Sequence, residues 1–431
     1  MTPAPLTAAV AAAPALRASG IGAVPVARAL DAAASALLAV FVVLIGFDLT
    51  QPAPYDLLAG PVILLWLARG IRLPRSAFVL VALLLLLCLG VFLSLVPHLD
   101  RPDSVLWAVI SLYLAITAMF FATVFSEDSE RRVELALKAF LASCVATAAA
   151  GIMGYFDLFG TAAVFKAMGR AAGTFEDPNV FGSFLILGIV FVVRDLVTGA
   201  GRRLWLGFVL LPDLLAGVLL AFSRGSWIAT LFAAVALLAM TFATARSARV
   251  RRRIVVVTIA ASLIGAASIV GLVATDAVGE MIAVRAQAVQ DYDSGETGRF
   301  GIQLRSIPLL VERPNGFGPL RYRTHFGAEP HNTYLNAFAS GGWIGGFAFI
   351  GLMLTTTYVG LRLSLSPSPY QRHAQVFFAT HLTFILQSFQ IDIDHWRHVY
   401  LVWGALWGLE AARLRWLRTG TPMPSPQRRA S

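Results

Sequence analysis

Apolar residues fill this chain in long unbroken stretches, with neither the alternation of a half-buried strand nor the single stripe of a surface helix. The clearest runs are 76–96, 104–125, 227–243 and 254–273. Shorter or Gly- and Pro-interrupted runs begin near Ala32, Leu57, Ala139, Val180, Leu204, Tyr334, Val376 and Val399. Each is close to the length needed to cross a hydrocarbon core of about 30 Å. Lipid forces every backbone group to bond internally, so continuous apolar runs without period-two alternation predict helices and exclude a β-barrel. The expectation is an all-α, polytopic transmembrane helical bundle of about twelve spans. Its layout is a tail at 1–30, spans one to nine within 31–275, a long loop at 276–331, spans ten to twelve within 332–415, and a second tail at 416–431. Within the loop, Leu304, Ile307, Leu310 and Val311 fall at helical spacing with Arg305 off that stripe, which predicts an amphipathic segment lying on the membrane surface. Pro308 interrupts it.

Composition agrees with lipid as the main solvent: 58% of residues are hydrophobic and 13% charged, against roughly 45–50% and 25% in soluble domains. Charge then gives an orientation. With twelve spans and the N-terminus inside, 23 of the 34 Lys and Arg fall on the inner side, and six of the remainder lie in the long loop, which carries little weight in the positive-inside rule. Both termini are therefore expected in the cytoplasm and the long loop in the periplasm. The net charge of +10 follows from that topology and gives no reason to invoke nucleic acid. Cys88 and Cys144 fall inside predicted spans and read as packing residues, not as a disulfide or thiolate metal site. No basic residue precedes the weakly apolar run at 8–16, as a secretory signal would require, so the first thirty residues read as a disordered tail.

The outer loops hold the candidate chemistry. Arg170 opens a segment that runs through Glu176 and Asp177-Pro178-Asn179 into span six. Asp before Pro is a sound helix start, but capping leaves Arg170 unexplained. The turn Ser223-Arg224-Gly225-Ser226 places a guanidinium at the edge of the apolar core, where it must snorkel or meet an anion. The long loop carries Thr297-Gly298-Arg299 and Gly316-Phe317-Gly318-Pro319, and ends at Pro330-His331-Asn332. Gly341, Gly342, Gly345 and Gly346 follow on span ten, with spacing that admits close approach of a helix or a lipid tail. The last outer turn, Asp392-Ile393-Asp394-His395-Trp396-Arg397-His398, concentrates ionisable groups that must pair or bind something. A metal reading of His395 and His398 lacks a further ligand pair with tetrahedral spacing, and Asp291/Asp293 and Asp392/Asp394 read as partners for nearby arginines.

Four patterns taken together resemble the O-antigen ligase and polymerase superfamily of bacterial membrane glycosyltransferases, of the GT-C class. They are Gly173-Thr174-Phe175 through Asn179, Ser223-Arg224-Gly225, Gly298-Arg299 ahead of Gly316-Phe317-Gly318, and His331-Asn332 followed by Gly342 and Gly345. The resemblance covers roughly residues 139–361. It implies a multi-pass protein of the bacterial inner (cytoplasmic) membrane that moves a glycan from an undecaprenyl-diphosphate donor to an acceptor hydroxyl on the periplasmic face, with inversion at the sugar carbon. Arg224, Arg299 and His331 inherit the catalytic roles. Arg170, Glu176, Asp177, Asn179, Asn332, His395 and Arg397 are candidate substrate-binding residues. The partners implied are the lipid-linked glycan, membrane lipids, and either the lipid A core or a growing glycan as acceptor; no cofactor and no metal are called for.

The chemistry is physically reasonable. Outside the cytoplasm there is no ATP pool, so the donor must carry its own leaving group, as a lipid diphosphate does. Arginine forks grip a diphosphate bidentately while their stems lie on apolar surface, and each well-placed donor to a departing anion is worth about 2.7–4 kcal/mol in other enzymes. The leaving group is stable near neutral pH, so only the acceptor hydroxyl needs a base. His331 has the intrinsic pKa for that task, roughly 6.5; a role as hydrogen-bond donor to phosphate, with Glu176 or Asp177 as base, stays open. So do two acceptors: the histidine motif points to a ligase, the short loop between Arg299 and His331 to a polymerase. The competing class is a transporter, for which Asp213 beside Pro212 within a span is a natural feature.

Overall fold

The structure, a computed structural model, describes residues 23–199, 204–274, 279, 295 and 298–420. The expectations for most of the two tails, for the loop before Gly298 and for Asp291/Asp293 lie outside the described residues. Each of the twelve apolar segments carries one long helix. In chain order these are α1 (Ala23–Val43), α2 (Pro54–Ala68), α3 (Phe78–Leu95), α4 (Pro102–Ser126), α5 (Ser129–Tyr155), α7 (Pro178–Thr198), α8 (Leu204–Leu220), α9 (Arg224–Thr244), α10 (Ala248–Val273), α13 (Thr333–Leu365), α14 (Gln371–Gln387) and α15 (Arg397–Thr419). Shorter helices are α6 (Ala162–Phe165), α11 (Arg299–Val311) and α12 (Tyr322–Phe326), and a small hairpin pairs β1 (Lys166–Ala167) with β2 (Arg170–Ala171). Seven helices among the described residues are long and apolar enough on their own to cross a membrane, while α2 and most of α8 are apolar but shorter. Helix α1 begins inside the stretch expected as tail.

Helix α7 lies at the centre, buried along nearly its whole length against α5, α8, α9, α10 and α14. Glycine lets other pairs close. A Cβ at Gly90 of α3 would stand 2.4 Å from the Gly341 carbonyl and the Gly345 nitrogen of α13, and one at Gly404 of α15 would stand 2.5 Å from Phe121 of α4. Such contacts gain dispersion energy that lipid tails cannot supply as well. Outward rows such as Leu85, Leu89 and Leu93 on α3, or Ile228, Leu231 and Val235 on α9, stay exposed, as an apolar belt facing lipid requires.

The loops separate onto two ends. At one, Arg69 and Arg131 share Asp31, and Arg415 donates to the Ser126 carbonyl. At the other, the expected outer loops contact one another: the Asp48 N–H donates to the Thr174 carbonyl, His98 Nε2 lies 2.9 Å from the Phe317 carbonyl, and Ser104 Oγ donates to the Pro319 carbonyl.

Helix α13 is broken at Gly342, whose φ of 60° and ψ of −163° belong to a region open essentially to glycine alone. The loop after α11 fills the gap. The Pro314 carbonyl accepts from the Trp343 N–H, and the Ala339 carbonyl accepts from the Phe317 and Gly318 N–H groups. Gly316 makes this fit possible, since a Cβ there would stand 2.5 Å from the Phe338 and Ala339 carbonyls. Two glycine patterns that are distant in sequence are thus the two halves of one joint. On α11 itself the expected stripe divides: Leu304, Ile307 and Val311 point outward, whereas Leu310 packs inward with Ile302 and Ser306.

Candidate active site

At one end of the bundle, α7, α9, α11, α13 and the turn between α14 and α15 bring most of the candidate residues together. Helix α7 starts at Asp177, whose carboxylate accepts from the backbone N–H of Asn179 at 2.8 Å and from its Nδ2 at 2.9 Å. Asn179 Oδ1 in turn accepts from Arg170 Nη2 at 2.9 Å, and Arg170 Nε donates to the Ala221 carbonyl at 2.7 Å. Arg170 is buried, so it ties the hairpin to the turn that holds Arg224. Glu176 beside them is exposed. The Gly173-Thr174-Phe175 stretch is a tertiary knot: Gly173 has φ +57° and lies on the Thr147 carbonyl, where a Cβ would come within 2.7 Å, and Thr174 bonds Thr147 and the Gly46 carbonyl.

Arg224 is the first residue of α9, whose N-cap Ser223 accepts from the Ser226 N–H. Gly225 sits against Gln390, with a Cβ there only 2.6 Å from its Nε2. The Gln390 carbonyl accepts from Arg299 Nη1 at 3.3 Å. One glutamine therefore joins the turn carrying Arg224 to the helix carrying Arg299, whose guanidinium also lies 4.8 Å over the Phe300 ring.

His331 has a φ of +46°, uncommon for a residue with a side chain, and several bonds hold it there. The Asp392 carboxylate accepts from the His331 and Asn332 backbone N–H groups, each at 3.1 Å, and its Oδ2 lies 4.0 Å from His331 Nδ1. Gln303 Nε2 donates to the Pro330 carbonyl at 2.8 Å. Asn332 caps α13, its Oδ1 accepting from the Leu335 N–H. The imidazole is half exposed, yet the protein packed around it and the Arg299 charge hold its pKa below the usual range, while Asp177 pulls it up. Both charged groups thus act on the same ring. Burial and the Asp394 carboxylate raise Asp392 well above the carboxylate range, against the pull of the two N–H groups, and burial lifts Asp394 to about 6.

The remaining candidates have partners of their own. Arg397 forms a bidentate pair with Asp56, both contacts at 2.8 Å, and lies 3.0 Å from Asp48. Breaking a pair shielded like this costs about 3–5 kcal/mol, so its fork is committed to joining α15 to α2. His395 lies 4.3 Å from the Trp107 ring, with Nε2 2.9 Å from Ser111 Oγ. Burial first, then Arg397, lowers its pKa to about 3. His398 sits among Phe184, Phe384 and Trp396, so the two histidines do not share a ligand position. Sequence reading did not single out Gln390, Gln303 or Asn336, which donates to Asp394 Oδ2 at 3.0 Å, because no local pattern marks an amide whose partners come from other elements.

Elements bearing two arginines and an imidazole whose charged form is disfavoured meet here, an arrangement that can bind a polyanion and accept a proton beside it. No curated protein matches the chain. The family model described as O-antigen ligase matches residues 206–350, a stretch that includes Arg224, Arg299, His331 and the Gly342 joint, and the match supports a place for the chain in the O-antigen ligase/polymerase family.

Proposed function

We propose that this membrane protein transfers a glycan from an undecaprenyl-diphosphate donor to an acceptor hydroxyl at the end of the bundle that carries His331, and that this end faces the periplasm of a bacterial inner membrane. The matched family model supports glycosyl transfer of the ligase/polymerase type, and the Lys and Arg excess toward the opposite end supports the orientation. The observation that supports the reading is the convergence on Gln390 and Asp392 of the elements that bear Arg224, Arg299 and His331.

In this reading Arg224 and Arg299 clamp the diphosphate and stabilise the charge that grows as the bond from the sugar carbon to oxygen breaks. The acceptor oxygen attacks the opposite face of that carbon, inverting it, and His331 takes its proton. Arg170 and Asn179 position the Arg224 turn, Asp177 tunes His331, and Asn332 fixes the start of α13. Glu176, exposed at the rim, remains a candidate contact for the acceptor. His395 and Arg397 belong to the wall behind the site. The step needs no metal, because two guanidinium groups supply the counter-charge. The histidine motif favours a ligase with the lipid A core as acceptor; the short loop before His331 favours a polymerase that extends a glycan.

Purified protein, a lipid-linked glycan and each acceptor in turn provide the test. Arg224→Ala and Arg299→Ala are each expected to lose transfer by about a hundredfold or more, and Arg→Lys at either position to recover little, since a point charge does not reproduce the fork. Wild-type rates in both folded alanine variants would refute the clamp.

A further inference from the structure

A cavity of about 1160 Å³ opens at the end of the bundle away from His331. The starts of α5, α10 and α14, the ends of α7 and α9, and the Pro367-Ser368-Pro369 turn after α13 border it. Three helices begin there and three end there, so their axial dipoles largely offset. Side chains set its sign.

Five cationic residues line it: Arg131, Lys138, Arg194, Arg246 and Arg372. They face three carboxylates, Asp128, Glu130 and Glu134. Asp128 and Glu134 are drawn into ion pairs with this lining. Asp128 accepts from Arg131 Nε at 2.6 Å, and Glu134 lies 3.2 Å from Arg194, 3.4 Å from Lys138 Nζ and 3.0 Å from His373 Nε2. The lining is cationic by count, five against three, with Arg131 and Arg194 also reaching Asp31 and Asp195 behind it at 2.7 and 2.6 Å, so Lys138, Arg246 and Arg372 carry its excess. Hydrogen-bonding capacity is left over as well. His373 Nδ1 and Ser368 Oγ, on residues that are more than nine-tenths buried, have no hydrogen-bond partner among the described residues. The first turns of α5 and α14 lack a side-chain cap, so backbone N–H groups open at this end too.

We infer that this cavity binds a phosphate-bearing anion, with Lys138, Arg246 and Arg372 gripping it at the rim and His373 and Ser368 completing the wall. Guanidinium forks match phosphate geometry bidentately, and the threonine and serine hydroxyls of Thr241, Thr244 and Ser247 around them supply neutral hydrogen bonds. The site is separate from the proposed glycan-transfer site, because α7 and α9, each 21 residues long, run between the two and span about 30 Å. Two sources offer the chemistry: the headgroup of an anionic phospholipid and a soluble phosphate compound.

Native mass spectrometry and thermal melting of the full-length protein in detergent test it, with dioctanoyl phosphatidylglycerol, dioctanoyl phosphatidylcholine and inorganic pyrophosphate as probes. Phosphatidylglycerol is expected to bind and raise the melting temperature. The Arg246→Glu/Arg372→Glu variant should bind at least about tenfold more weakly, while Arg251→Glu/Arg252→Glu, on the exposed start of α10 outside the cavity, should bind as the wild type does. Binding of pyrophosphate with the same variant pattern identifies a soluble phosphate; phosphatidylglycerol alone identifies a headgroup. If the glutamate pair fails to fold, the Arg246→Gln/Arg372→Gln pair takes its place. The inference is overturned if neither anionic probe binds, if phosphatidylcholine binds equally well, or if both double variants lose binding alike.

Discussion

The surroundings of His331 disfavour its charged form, and that decides the direction in which pH acts. Its pKa lies below the ordinary 6.5 because burial and Arg299 both disfavour the imidazolium. A base with a lowered pKa keeps working as the pH falls through 6.5 and is lost only below its own value. The rate of glycan transfer should therefore fall on an acid limb placed below pH 6.5. Asp177 raises the ring's pKa, so Asp177→Asn, which preserves the helix cap, should move that limb to lower pH. A limb that stays in place or moves up in a pH-rate profile would remove Asp177 from the electrostatics of His331. At this scale the sequence was partly legible. Arg224, Arg299 and His331 stand in recognisable local patterns, so their types and spacing point to anion chemistry before any coordinates. Gln390 and Asp392 do not, since each matters only through partners on other elements. Arg397 shows the converse: beside His395 it reads as a binding residue, and only the structure reveals Asp56 and Asp48 on its fork.

Elements were legible where hydrophobicity alone decides them, and illegible where a helix is interrupted. Every expected apolar segment carries a helix, because a bilayer leaves the backbone no alternative. The glycines on α13 read as sites of close approach. Gly341 and Gly345 are that, against Gly90, but Gly342 is a break. Apolar residues flank it on both sides, so periodicity runs through the discontinuity without a mark. Gly342→Ala should lower stability by about 1–3 kcal/mol from backbone strain alone, and by more from the contact, since its Cβ would meet the Pro314 carbonyl at 2.3 Å. Gly60→Ala on α2, with nothing within 4 Å of the added atom, should be neutral or up to about 1 kcal/mol more stable. Thermal melting of the two variants side by side gives the comparison, and equal melting temperatures would contradict the role assigned to the joint.

Over the whole molecule, composition already pointed to a membrane, and charge asymmetry supplied an expected direction. What they could not give is how the loops at each end meet, because that depends on helix packing. Orientation can be measured directly. Cys88 and Cys144 are buried, so an introduced cysteine dominates labelling by an impermeant maleimide. Thr324→Cys, at the exposed end with His331, should label in intact spheroplasts, and Arg249→Cys, at the exposed opposite end, only after lysis. The reverse pattern would place the proposed transfer site in the cytoplasm.

The broken helix α13 also acts as a ruler. Its first half is anchored at both tips, by Asp392 at His331 and Asn332 and by the loop carrying Pro314 and Phe317 at Ala339 and Trp343. The nine residues from Thr333 to Gly341 fix the gap between those anchors at about 13 Å. One inserted residue would lengthen it by about 1.5 Å and turn one tip by about 100° against the other, so only one anchor could stay engaged. The interval between the histidine and the glycine in this motif is therefore a mechanical tolerance: it records how far His331 stands from the joint, and a chain that kept every side chain but changed the count would lose the fit.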